Sequence, residues 1–220
     1  GMRSTMMVNP LNPAAYSMTP RQGFLFDFGE EGVNFYNRQQ KYADGAQTTS
    51  RTSYNTFNFH DIAFQLPLAK RLGLGFSLTP YSSVGYRVSA DDQSDDVWGN
   101  IGRVQYLYAG EGDLTEVKLG VGWEVAKRIS IGIAAQYYWG DIERTYQTAV
   151  TNNIINGGSV NTTTGTDSYE ISRVKMQLGL QADLIQSERQ VLTLGATYDM
   201  GGNLRPSVNQ SIINGDIYGT

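Results

Sequence analysis

Cysteine is missing from all 220 residues, which removes disulfides, thiolate metal sites and cysteine nucleophiles together. The single histidine, His60, leaves no set of imidazoles for a catalytic zinc. Charge is scarce too: Asp, Glu, Lys and Arg make up 17% of the chain, against about 25% in ordinary soluble proteins. The net charge of −4, without a Lys/Arg stripe, excludes the counterion release that drives nucleic-acid binding. No apolar run reaches the roughly 18–20 residues of a membrane-spanning helix. Many aromatics with few charges argue against disorder.

What is present is alternation. From Gly23 to Met200, apolar and polar residues recur at period two, the repeat that sends successive side chains to opposite faces of a strand. Val117, Leu119, Val121, Trp123 and Val125 share one face, while Glu116, Lys118, Gly120, Gly122 and Glu124 share the other. After Ala126-Lys127-Arg128, the run Ile129, Ile131, Ile133, Ala135, Tyr137 and Trp139 predicts the second arm of an antiparallel hairpin. Val174–Leu184 with Leu192–Met200, and Ile62–Leu66 with Leu72–Leu78, repeat the plan. Phase slips at 29–32 and at His60 predict bulges.

The short turns carry Lys or Arg, whereas the far ends enter polar stretches at 39–51, 90–100 and 148–167, read as long loops. Short turns at one rim and long loops at the other are the layout of an outer-membrane barrel. The expectation is an all-β, antiparallel up-and-down β-barrel of the outer-membrane type, with about eight strands, whole or partial. The whole of 1–220 forms one domain: an N-terminal segment 1–21, strands over 22–200 and a terminal segment 201–220. Tyr81, Tyr86, Tyr106, Tyr108, Tyr137, Tyr138 and Trp139 fall where an aromatic girdle belongs. The start has no apolar h-region, so a signal peptide is expected to be absent from these residues.

Several segments resemble the FadL-like outer-membrane transport family of Bacteroidetes type. They are Val8-Asn9-Pro10-Leu11-Asn12-Pro13-Ala14-Ala15-Tyr16-Ser17 leading to Phe24-Leu25-Phe26-Asp27-Phe28-Gly29, then Phe64–Lys70 with Gly75–Tyr86, and Tyr108–Leu114 before a later strand. The resemblance implies a passive, porin-like conduit for hydrophobic compounds such as long-chain fatty acids. It also implies a fragment without the N-terminal plug and C-terminal strands of longer relatives.

Arg173, Lys175, Gln177, Lys118 and Glu124 are candidates to line the lumen or meet a ligand's carboxylate, although lumen charges also pair with one another. Pro80, which cannot donate to a ladder, and Glu30 and Glu31, set between glycines, are candidates for a kink in the wall. His60-Asp61 contains a base and an orienter, but neighbours on a strand face opposite ways, and the chain is expected not to be an enzyme. Asp91, Asp92, Asp95 and Asp96 lack the spacing of a calcium loop and read as a solvated loop, and no metal or cofactor is expected.

The expected partners are outer-membrane lipid, a hydrophobic small molecule, and further copies of the chain joined at strand edges, with no nucleic acid. Two alternatives accompany the transporter: a small structural or adhesive outer-membrane barrel with a charged, filled lumen, and a soluble β-barrel ligand-binding protein with its apolar face inward.

Overall fold

A computed structural model describes residues 4–43, 46–92, 97, 102–152, 159–187 and 190–218. A short 3-10 helix, η1 (Pro13–Met18), precedes eight strands: β1 (Leu25–Ala43), β2 (Ala46–Ala69), β3 (Leu72–Asp92), β4 (Arg103–Ala126), β5 (Ile129–Asn152), β6 (Ser159–Gln186), β7 (Val191–Met200) and β8 (Ser207–Tyr218). The fold is all-β and up-and-down: each strand from β1 to β7 pairs with its sequence neighbour, and β8 also pairs with β6. β8 runs antiparallel to β6 from Ser207↔Glu170 to Tyr218↔Ser159. Among the described residues β1 pairs only with β2, so the hydrogen-bonded path is open.

Burial along the strands is inverted relative to a water-soluble sheet. On β5, Ser130 is 0% exposed and its neighbour Ile131 is 43% exposed; on β6, Gln181 is 0% and Leu180 46%. The polar and glycine-bearing face is covered, and the face of Leu119, Trp123, Ile129, Ile133, Leu178 and Leu194 is bare. A soluble protein would bury the second face, so the soluble alternative is excluded by the direction of the pleat. Bare runs such as Ile129–Trp139 have the roughly 9–11 residues that a tilted strand needs to cross hydrocarbon. A bare apolar face of this length is the one that an outer-membrane barrel turns to lipid.

The chain forms two compact units. The first holds Gly1–Thr79, Lys118–Ala134 and Leu178–Tyr198; the second holds Pro80–Val117, Ala135–Gln177 and Asp199–Thr220. In the first, two tight turns put Arg71 and Arg128 at φ 67° and 76°. Their carbonyls accept from the N–H groups of Glu124 and Asp183, both at 2.9 Å, so each turn is tied to the strand after its own hairpin. In the second, Gly112 at φ 130° and Gly140 at φ 149° stand against each other's strands. Only glycine is at ease in that region, and these two positions let β4 and β5 continue through an irregularity.

Four sequence expectations change. The polar stretches 39–51 and 148–167 are largely strand: the β1–β2 ladder runs to Ala43↔Ala46, and β6 begins at Ser159. Their residues are polar at odd and even positions alike, so no apolar alternation marks them as strand. The stretch 201–220, read as a terminal segment after the strands, holds β8. The Gly-rich segment at Tyr108–Leu114 lies inside the single strand β4 instead of before a later one. Of the expected girdle, Tyr137 and Trp139 stack on the bare face with centroids 5.5 Å apart, but Tyr138 between them is buried on the opposite face.

Candidate functional site

The covered face of the first unit is built for a backbone, and the N-terminal segment supplies it. Glycine removes the side chain at Gly73, Gly75, Gly122, Gly132 and Gly179, one or two on each of β3, β4, β5 and β6. A Cβ at any of these would collide with residues 12–19: with Tyr16 carbonyl or ring at Gly73 and Gly75, with Pro13 carbonyl at Gly122, with Pro13 and Ala14 at Gly132, and with Asn12 Oδ1 at Gly179. Glycine within a strand marks such close approach. Asn12 through Ser17 are all buried.

Hydrogen bonds fix the segment in register. Asn12 caps η1 by accepting the Ala14 N–H at 3.0 Å. Its Nδ2 donates to the carbonyls of Leu180 on β6 (3.2 Å) and Ala196 on β7 (3.3 Å). The Ser17 hydroxyl donates to Ala14 O at 2.8 Å and lies 2.8 Å from Ser130 Oγ on β5. Gln65 Nε2 on β2 donates to Ala15 O (3.2 Å) and Thr19 Oγ1 (2.8 Å). Lys118 Nζ on β4 donates to Pro10 O at 2.9 Å. Every strand of this unit from β2 to β7 touches the segment. Each neutral bond contributes about 0.5–1.5 kcal/mol, and the charged Lys118 bond more.

The second unit carries a polar constellation of its own. Tyr138 packs edge-on against Tyr81, centroids 4.8 Å apart, and Lys175 Nζ sits 5.6 Å above the Tyr138 ring. Gln177 Nε2 donates to Asp199 Oδ1 at 2.8 Å. Gln136 and Gln177 each keep a buried carbonyl oxygen without a protein partner among the described residues, which suits a wet face. Where β7 gives way to β8, Glu170, Ser172, Arg173, Arg205 and Ser207 line an open polar cleft of about 290 Å³.

The sequence candidates therefore separate. Lys118 holds the N-terminal segment. Glu124 lies at the turn rim, with Oε2 3.7 Å from Arg71 Nε and Oε1 accepting the Arg128 N–H at 3.2 Å. Lys175 and Gln177 belong to the Tyr138 group, and Arg173 is apart from both, donating to Arg205 O at 3.3 Å. Glu30 and Glu31 are exposed beside the β1–β2 bulge at Gly29/Glu30. Pro80 lies just past Leu78, the last β3 residue paired to β2. His60 Nδ1 and Asp61 Oδ1 meet at 2.8 Å on that same bulge, with His60 exposed and no nucleophile bonded to it among the described residues. Asp91 is held by Arg103 (2.7 Å) and Gln105 (3.0 Å), while Asp95 and Asp96 lie outside the described residues.

Sequence reasoning missed Asn12, Tyr16, Ser17, Gln65 and Ser130 as a group. The signal was the row of glycines on the face opposite the apolar one: an empty face calls for something to fill it.

One family model matches the chain, that of BamG, over residues 2–218. The chain belongs to the BamG family. That corrects the FadL-like resemblance and, with it, the expectation of a conduit for fatty acids and other hydrophobic compounds, since the match covers nearly the whole chain and is to a different family. The segment that resembled a FadL-like lead-in, Val8–Ser17, has a structural role in this BamG-family chain as the filler of its first unit. No curated protein and no solved structure matches the chain.

Proposed function

We propose that this chain is a non-catalytic structural barrel protein of the outer membrane that works in outer-membrane biogenesis as a partner of the Bam complex. Family membership supports the setting. The observation that carries the non-transport reading is the N-terminal segment itself, hydrogen-bonded to β2, β4, β5, β6 and β7 and seated on strand glycines. A steadily open pore needs an unobstructed polar face. Here five glycines that would widen a pore instead receive a proline, an asparagine and a tyrosine of the same chain.

Two measurements test the reading. Affinity isolation of the tagged protein from outer membranes in mild detergent is expected to bring Bam-complex subunits in constant ratio; isolation of the chain alone overturns the partnership. In planar bilayers the protein is expected to give no steady conductance, and stepwise conductance from the unmodified protein overturns the non-transport assignment.

A further inference from the structure

The ladder between β2 and β3 stops at Ile62↔Leu78. Beyond it β2 continues from Asp61 back to Ala46, paired among the described residues with β1 alone. Every described side chain over 30–40 and 49–60 is exposed, so this is a two-stranded ribbon uncovered on both faces. Such a ribbon is marginal in water by itself. Along the outer edge of β2, backbone N–H and C=O groups point away from β1 with no strand among the described residues to receive them, which is the template for adding one.

One face of the ribbon says what the added strand must carry. Residues directly opposed in register share a face: Glu30↔Phe59, Gly32↔Phe57, Asn34↔Asn55, Tyr36↔Ser53 and Arg38↔Arg51. Phe59 continues the apolar row of Phe28, their ring centroids 6.3 Å apart. Phe57 faces Gly32, which offers no side chain to cover it, and is 73% exposed. Arg38 and Arg51 oppose like charge to like charge, a destabilising pair, and neither makes an ion pair or hydrogen bond among the described residues.

We propose that the free edge of β2 over 49–61 accepts an extended segment of a partner polypeptide as a third strand, with an apolar side chain beside Phe57 and a carboxylate beside Arg51. Those two side chains stand six residues apart on one face, matching the 51-to-57 spacing. Strand addition satisfies the edge, and the carboxylate relieves the arginine pair. A second copy of β2 does not fit: its only carboxylate over 46–61 is Asp61, which lies across the bulge on the other face and is engaged by His60. A lipid phosphate would neutralise the arginines but offers no ladder to the edge. The proposal does not depend on the Bam-complex reading.

The test uses the whole chain in detergent micelles with two synthetic peptides of roughly ten residues, the length of a strand. Both alternate Thr and Val around one Phe; the sixth residue beyond the Phe is Asp in one and Lys in the other. The Asp peptide is expected to slow amide hydrogen exchange over 49–61 and to bind about fivefold more tightly than the Lys peptide, the scale of a cross-strand charge pair. Arg51→Glu, an exposed change, is expected to invert that preference. Unchanged exchange with both peptides, or a preference indifferent to Arg51→Glu, overturns the proposal. Protection already present without peptide in a species that light scattering shows to be dimeric overturns it in favour of a second copy. Protection obtained only with phosphatidylglycerol nanodiscs overturns it in favour of lipid.

Discussion

The side-chain oxygen of Asn12 stands so close to Gly179 that a Cβ on residue 179 would collide with it, so Asn12 can keep its present place only beside a glycine. The strand leaves out a side chain, and the N-terminal segment puts one in. The same Asn12 caps η1 and bridges the backbones of β6 and β7.

Substitution on either side of that relationship is expected to be costly and redundant. Gly179→Ala overpacks the site and is expected to lower stability by about 1–3 kcal/mol. Asn12→Ala removes the cap and is expected to cost about 1–2 kcal/mol. Because both lesions act on one contact, the double variant is expected to lose less than the sum in chemical unfolding from micelles.

The lipid-facing assignment separates the two faces that the strands present. Leu119→Arg puts charge on the bare face and is expected to cost about 2–4 kcal/mol in unfolding from phospholipid vesicles. Arg173→Gln, on the polar side, is expected to stay within about 0.5 kcal/mol. Equal effects would mean that the faces are assigned the wrong way round.

Lys118→Met deletes the donor to Pro10 O and is expected to destabilise by about 1–3 kcal/mol. Its clearer signature is local. Trypsin cleavage at the exposed Arg21 is expected to accelerate relative to cleavage at Arg87, because the segment before it loses an anchor.

Gly112→Ala combines a disallowed φ with a collision against the Asp141 carbonyl, and is expected to cost about 1–3 kcal/mol. Gly85→Ala meets nothing within 4 Å and is the control, expected to change stability by less than about 0.5 kcal/mol. Unfolding curves of the two variants in the same detergent check the contrast.

How much of this was legible in the sequence depends on what surrounds each residue. Glu116–Val125 and Ile129–Trp139 declare themselves because one face meets lipid and the other does not, and that difference writes alternation into the residues. The stretches over 39–51 and 159–167 carry no such record, because their residues are polar at odd and even positions alike. β8 hides for a related reason: Val208, Ile212 and Ile213 follow no period of two.

The covered site was half legible. Glycines on the polar face of β4, β5 and β6 announced a vacancy, but its occupant is held by pairings such as Asn12 with Leu180, 168 residues apart, which no local window contains. The mistaken family rested on short Pro-, Gly- and aromatic-containing segments. Gly75, for example, is there to admit the Tyr16 ring, a packing need that carries no information about transport.

The order of the chain gives the N-terminal segment a temporal meaning. Its partners arrive in sequence: Gln65 first, then Lys118 and Ser130, then the carbonyl of Leu180, and last that of Ala196, 184 residues after Asn12. The segment precedes every one of these partners in the chain and is fully bonded only when the last of them is in place. Until β7 is in place, Asn12 has an unspent donor and η1 has an open side. The segment works as a completion mark for its own unit, locking only when β7 has arrived.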